Sequence, residues 1–350
     1  MYQHKGTTLP GFETASPANP ASIRVKACAR LHLGFLDLNG GLGRRFGSLG
    51  LAVSRPAVDL MVSDAERLIA EGEEAERVLR YAEAAALHLN VEPRGHFRLR
   101  HSIIPHAGLG SGTQIALAVA AGLARLRGRP FRARDAAEAL DRGNRSSAGL
   151  ATFERGGLIL DGGRGEDDRA PPLLARLPFP DAWRVLLIFD TSTHGLHGEA
   201  EVSAFRQLPP FPAEAAAHLC RLALMRILPA VADRDVEAFG AGVAELQRVV
   251  GDHFASAQGG RFTSPSVTKV LTACEQRGVA GIGQSSWGPT GFAIIGSEGE
   301  ARRLVAALKA DGLPPGIHLD IVRGRNQGAQ VRIEHTGVNR DTTLKRRLAS

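Results

Sequence analysis

The chain has 350 residues, with 43 Lys and Arg against 36 Asp and Glu, a formal net charge of +7 and a 43% hydrophobic fraction. These values fit a soluble protein of one large or two ordinary domains. Scattered arginines with only 5% aromatic residues argue against a nucleic-acid partner, and no apolar run reads as a membrane span. Cys28, Cys220 and Cys274 are sparse and far apart, which suits buried thiols in a cytoplasmic protein rather than a disulfide scaffold or metal site.

Residues 1–21 are polar, lack the apolar core of a signal peptide and are expected to form a flexible extension. Alternation over 22–29 predicts a strand, and 49–63 predicts one or two more around Pro56. Residues 65–89, rich in Ala, Glu, Leu and Arg, have helical spacing. Alternation returns over 96–104 and leads into Gly108-Leu109-Gly110-Ser111-Gly112-Thr113-Gln114. A helix of small apolar residues follows and ends near Gly128. Another helix is predicted over 133–140 and a short strand over 157–161. The charged, proline-rich stretch 167–180 suggests a seam, with an apolar strand over 183–189 beyond it. Helices are expected over 213–232, with an apolar stripe at Leu219, Leu222, Leu224 and Ile227, and over 236–250 and 265–277. The last elements are a strand over 291–296, a helix over 298–310 and strands over 318–322 and 330–334.

The glycine loop carries the most information. A glycine-rich loop opening a helix presents backbone N–H groups and the positive end of the helix dipole to an anion. Ser111 and Thr113 add hydroxyl donors. The loop lacks the Lys-Ser/Thr ending of a Walker A motif and the spacing of a Rossmann fingerprint. A plain turn before a buried helix is the alternative. The loop resembles the nucleotide-phosphate loop of the GHMP kinase superfamily. Arg30-Leu31-His32-Leu33-Gly34-Phe35-Leu36-Asp37-Leu38 stands where that superfamily has its first motif. Residues 281–291, Gly-Ile-Gly-Gln-Ser-Ser-Trp-Gly-Pro-Thr-Gly, stand where its third is expected. The resemblance implies an α+β, two-lobed GHMP kinase-like fold with mixed sheets and helices. Its expected parts are an extension (1–21), an N-terminal phosphate-loop domain (22–178), a C-terminal domain (179–336) and a basic tail (337–350).

Superfamily kinases with a catalytic base resemble Ser-Gly-Ile-Asp after the phosphate loop. The comparable run here ends at Ala151, which accepts no proton, so phosphoryl transfer through that position is in doubt. The departures are similar to the β-ribofuranosylaminobenzene 5′-phosphate synthases of tetrahydromethanopterin biosynthesis. The matching segments are the phosphate loop, residues 153–163, Gly195-Leu196-His197-Gly198-Glu199 and residues 283–290. That resemblance implies a decarboxylating pentosyltransferase. It would condense 4-aminobenzoate with 5-phosphoribosyl 1-pyrophosphate, helped by Mg²⁺, as a homodimer; the sequence does not separate 4-aminobenzoate from 4-hydroxybenzoate as acceptor. An ATP-dependent small-molecule kinase is the competing reading.

For the phosphates, Gly108, Leu109, Gly110, Ser111, Gly112 and Thr113 form the expected cradle. Arg30 and Arg45 are candidate partners, since a guanidinium suits bidentate phosphate contacts; a structural ion pair is the alternative for each. Asp37 is a candidate to hold Mg²⁺ or stabilise positive charge at the anomeric carbon, or else caps a turn. Glu154, His197 and Glu199 are further catalytic candidates. For Glu154 an ion pair with Arg155 is the plainer alternative, and the histidine spacing is incomplete for a metal. Gln114, Gln284, Ser285, Ser286 and Thr290 offer neutral donors and acceptors for an aromatic acid near Trp287. A turn that packs the tryptophan is the other reading.

Overall fold

A computed structural model of the chain describes residues 22–166, 169–193 and 208–334. The alternation over 22–29 is the start of a longer strand, β1 (Ser22–Asp37), whose Ile23, Val25, Ala27, Leu31 and Leu33 are fully buried. β2 (Phe46–Ser63) runs through Pro56 as one strand and lies antiparallel to β1.

The helix expected over 65–89 is two elements. β3 (Leu68–Glu71) pairs parallel with β4 (Gly95–His101), and α1 is confined to Ala75–Leu89. Gly72 separates them at φ +116°, so close to β4 that a Cβ would sit 2.5 Å from the Leu99 carbonyl oxygen. Composition did not disclose this break, because strand pairing overrides the local preference of a four-residue segment.

Among the described residues the first sheet has seven strands. Its path is β11 (Gln330–Glu334), β1, β2, β4, β3, while β5 (Leu158–Asp161) pairs with β2 and β6 (Leu173–Leu177) with β5. The chain then enters a four-stranded antiparallel sheet, ordered β10 (Ile317–Val322), β7 (Arg184–Asp190), β9 (Gly291–Ile295), β8 (Gly281–Gln284). Residues 330–334, assigned by expectation to the second lobe, thus pair with the first sheet.

α2 (Ser111–Leu126) packs its small residues onto the first sheet. Gly122 lies so near that a Cβ would be 2.7 Å from a Val62 methyl. The close approach buries Ile115, Leu117, Val119 and Leu123 completely, each worth roughly 1.5–3 kcal/mol for a large apolar side chain. Gly122→Leu would force the helix off the sheet. α3 (Ala133–Ala139) and α4 (Ala148–Glu154) follow; α4 was not foreseen, being one short helix that opens on Ser146-Ser147 and contains Gly149.

Residues 213–233 form α5 (Ala213–Leu222), a π-helical turn (Ala223–Ile227) and α6 (Leu228–Asp233). The π turn rotates the apolar stripe. Leu219, Leu222 and Ile227 are buried as expected, but Leu224 is 55% exposed. By length and composition this run is apolar enough to cross a membrane, which corrects the reading that no stretch qualifies. α7 (Val236–Gln258) extends beyond the predicted end. α8 (Pro265–Glu275) and α9 (Glu298–Ala310) complete the helices. Asp235, Ser264 and Ser297 each accept from a first-turn N–H of their helix, the usual N-cap arrangement. One apolar cluster joins both lobes through β1, α2 and α7, and a smaller one lies between the second sheet, α8 and α9.

Candidate active site

The phosphate loop ends at Gly110, which caps α2 in the left-handed region at φ +80°, with no side-chain cap and no acidic residue in the first turn. The N–H groups of Ser111, Gly112 and Thr113 therefore lack intrahelical acceptors. Arg30 lies against the loop: its Nη1 donates to the Gly108 carbonyl at 2.5 Å, and its backbone N–H to Leu109 at 3.2 Å. A Cβ on Gly110 would meet the Arg30 guanidinium at 3.3 Å. On the other flank, Gly112 faces Tyr81 and Arg142, whose guanidinium stands 5.3 Å over the Tyr81 ring. Sequence reasoning missed Arg142, since 30 residues separate it from the loop and no motif marks it.

The third glycine segment seats directly on this loop. Gly108, at φ +74°, faces the Ser285 carbonyl so closely that a Cβ would lie 2.1 Å from its oxygen. Ser285 Oγ donates to the Gly108 carbonyl at 2.7 Å and accepts from the His32 backbone N–H at 3.0 Å. Ser286 N–H donates to the His32 carbonyl at 3.2 Å. All three motifs thus meet at one place, with Arg30 and Ser285 each bonded to Gly108 and His32 bonded to Ser285.

Behind Ser285 the segment borders a pocket lined by His32, Phe35, Gln247, Phe254, Gln258, Arg261, Gln284, Ser286 and Trp287. Its cavity volume is about 30 Å³, room for one or two waters. Of the residues expected for an aromatic acid, Gln284 and Ser286 lie here, with Trp287 beside them. Ser285 faces the phosphate loop instead. Thr290 is buried beneath it, its carbonyl accepting from Ser285 N–H at 2.9 Å. Gln114 is buried on α2 and donates to the Gly149 carbonyl at 2.8 Å, tying α2 to α4. His32 and Phe35 stood inside the first motif, yet strand periodicity alone did not say which of its side chains would border a cavity.

α4 begins beside the phosphate loop, where Gly149 packs on Thr113. Its start is held by Asp161, which is 1% exposed and accepts from Ser48 Oγ at 2.7 Å, Ser146 Oγ at 2.9 Å and Ser147 N–H at 3.0 Å. Its other oxygen accepts from Ser48 N–H and Gly163 N–H, both at 3.1 Å. Burial pushes the Asp161 pKa up against the pull of these donors. Ala151, at the expected kinase-base position, is buried within α4.

The other candidates stand apart. Asp37 ends β1; its Oδ1 accepts from Asn39 and Gly40 N–H, both at 2.8 Å, forming the turn at the β1–β2 tip. Arg45, exposed on that tip, donates to the Leu38 carbonyl at 3.2 Å, and its backbone pairs with Arg164. Glu154 lies at the C-terminal end of α4, where its carbonyl packs on Gly328; burial raises its pKa against the charges of Arg155 and Arg134. Among the described residues no cluster of three His, Cys, Asp or Glu is arranged to hold a metal. His197 and Glu199 lie outside the described residues.

Two family models match the chain: the GHMP kinases N terminal domain over 75–156 and the GHMP kinases C terminal over 227–312. The homoserine kinase of Cytophaga hutchinsonii superposes with a TM-score of 0.62 at 18% identity, covering 91% of this chain and 99% of that one. Mevalonate diphosphate decarboxylase of Staphylococcus aureus gives 0.64 at 14% identity, covering 89% and 98%. These two show the fold. A β-ribofuranosylphenol 5′-phosphate synthase of Methanothermobacter thermautotrophicus is 32% identical over 328 residues, 87% of this chain and 97% of that protein. Its namesake from Archaeoglobus fulgidus is also 32% identical, over 89% of this chain and all of that one. With near end-to-end matches on a GHMP kinase fold, the chain belongs to the β-ribofuranosylphenol 5′-phosphate synthase family.

Proposed function

We propose that this chain joins a para-substituted benzoate to the anomeric carbon of 5-phosphoribosyl 1-pyrophosphate, releasing carbon dioxide and pyrophosphate. The observation that carries this reading is the convergence of the three motifs: an uncapped α2 N-terminus flanked by Arg30 and Arg142, next to a pocket walled by aromatic rings. The first suits a polyphosphate, and the second sets aromatic side chains beside it, against which a flat ring could stack once the side chains part. The relatives' name specifies a phenol product, which favours 4-hydroxybenzoate, while the sequence resemblance gave 4-aminobenzoate. Both carry a para lone pair that feeds electrons to the ring carbon bearing the carboxylate.

In this reading that carbon attacks the anomeric carbon as the bond to pyrophosphate breaks. Loss of carbon dioxide then restores the aromatic ring. The loop N–H groups and Arg30 hold phosphate oxygens and neutralise the leaving group. Asp37 offers one carboxylate oxygen already engaged by two N–H groups, not a cage of ligands. Standing at the β1–β2 tip, apart from the loop, it does not fit a Mg²⁺ carried on a pyrophosphate held at that loop. We keep a homodimer and a cytoplasmic setting as parts of the same reading.

The competing kinase reading is separated by offering ATP and phosphoribosyl pyrophosphate in turn. Pyrophosphate should form only from the sugar diphosphate and only with the aromatic acid present. ATP-dependent phosphorylation of an alcohol, without pyrophosphate release, would overturn the proposal.

A further inference from the structure

Gly112 is the second residue of α2, and its N–H lacks an intrahelical acceptor. Its open side faces two polar groups. A Cβ there would stand 3.5 Å from the Tyr81 hydroxyl and 3.8 Å from Arg142 Nη1. Tyr81 lies on α1 and is only 9% exposed. Among the described residues its hydroxyl has no hydrogen-bond partner. A phenol buried that far usually finds one, because the ring is apolar and the O–H is not.

Arg142 is held by its backbone and by the Tyr81 ring. Its N–H donates to the Ala137 carbonyl at 2.7 Å, closing the end of α3 just after Asp141 turns left-handed at φ +54°. The guanidinium stands 5.3 Å over the ring, a contact that orients a cation without neutralising it. Among the described residues no hydrogen bond or ion pair reaches this guanidinium, and its Nε is buried without a partner. The first turn of α2 carries no acidic residue either. A guanidinium, a phenol O–H and a helix N-terminus therefore converge with no negative charge to meet them. Each of the three favours an anion.

We propose that Tyr81 and Arg142 form a second phosphate subsite, on the opposite flank of the α2 N-terminus from Arg30, and that the two flanks take the two linked phosphates of one diphosphate. Gly110 faces Arg30 and Gly112 faces Arg142 and Tyr81. These glycines are two residues apart, within one helical turn, so groups held on the two flanks are neighbours. That spacing suits phosphates sharing a bridging oxygen rather than phosphates at the two ends of a ribose. Arg142 supplies charge and paired N–H donors. Tyr81 donates its O–H and holds the guanidinium in place. On the function proposed above, the diphosphate is the leaving pyrophosphate, and a substrate with a single phosphate leaves one flank empty.

The test titrates inorganic pyrophosphate and inorganic phosphate into the full chain by calorimetry, with thermal melting of each variant as the check on folding. Wild type should bind pyrophosphate at least about 10-fold more tightly, since it alone fills both flanks. Tyr81→Phe keeps the ring beneath Arg142 and the net charge. It should weaken pyrophosphate about 3- to 10-fold, the scale of one hydrogen bond. Arg142→Gln should weaken it about 10- to 100-fold, the scale of a contact between charged groups. Phosphate keeps the Arg30 flank and should weaken less than about twofold in either variant. Equal affinity for the two anions in wild type overturns the inference, as does unchanged pyrophosphate affinity in Tyr81→Phe or an equal loss of both anions. Tyr81→Phe decides the matter if Arg142→Gln does not fold. Carbon dioxide release without these anion effects overturns the subsite alone. The anion effects in a protein that releases no carbon dioxide from either acid overturn the function and leave the subsite standing.

Discussion

Ser285 Oγ donates to the carbonyl of Gly108 over 2.7 Å, joining two loops 177 residues apart in sequence. The same hydroxyl accepts from His32 N–H, so one side chain links all three glycine-bearing motifs. The bond is between neutral groups and worth only about 1 kcal/mol net. Its importance is geometric, because it sets the distance between the anion cradle and the aromatic pocket.

Gly108 and Gly110 should respond differently to substitution. In Gly108→Ala the new Cβ collides with the Ser285 carbonyl, and a non-glycine residue at φ +74° adds strain of about 1–3 kcal/mol. Both the melting temperature and phosphoribosyl pyrophosphate affinity should fall. Gly110→Val meets the side chain of Arg30 rather than backbone, so affinity should collapse with a smaller change in melting. Calorimetric melting and titration of both variants check this; normal affinity in Gly110→Val would reduce the loop to a turn.

Asp161→Asn should detach the start of α4. An amide at this position turns an NH₂ toward donors such as Ser147 N–H or Gly163 N–H, leaving at least one without an acceptor. The expected loss is about 1–3 kcal/mol of stability, read by denaturant unfolding. Turnover should fall too, since α4 supports Thr113 through Gly149. Unchanged stability would show that the five-donor cage is dispensable.

His32 sets a pH signature. Its folded pKa of about 3 lies below the ordinary 6.5, so the unfolded chain binds the proton first as pH falls. The stabilisation is fully present above pH 6.5 and is lost progressively toward pH 3. His32→Phe should flatten the stability curve across this window. Parallel curves for wild type and variant would contradict the burial argument.

Asp37→Asn keeps the turn, because an amide oxygen still accepts from Asn39 and Gly40. If the carboxylate charge serves the reaction, turnover should drop at least ~100-fold with unchanged melting. Near-normal turnover would leave Asp37 as a turn former.

Much of the framework was legible from local pattern. The loop at 108–113, the small-residue helix behind it and helix 298–310 follow from glycine placement and 3.6-residue periodicity, which act within one segment. β3 was read as helix because its strand state comes from pairing with β4, a contact composition does not record. Leu224 was misplaced because a π turn shifts the helical phase mid-run. In the candidate site, the sequence named Arg30 and the loop, and the structure places them against each other. Arg142 was not named, since it comes to Gly112 across α1 and no motif marks it; Phe254 and the pocket face of His32 were not, since packing of α7 and the third loop on β1 brings them together across 222 residues. Gln114 and Thr290 have the right chemistry but are buried away from the pocket lining, which only the packing discloses.

The most direct measurement supplies the purified protein with Mg²⁺, phosphoribosyl pyrophosphate and 4-hydroxybenzoate or 4-aminobenzoate labelled in the carboxyl carbon. Labelled carbon dioxide and pyrophosphate should appear in equal amounts, and neither should form when one substrate is left out. Pyrophosphate without labelled carbon dioxide, or no product from either acid while ATP is consumed, would contradict decarboxylative ribosyl transfer.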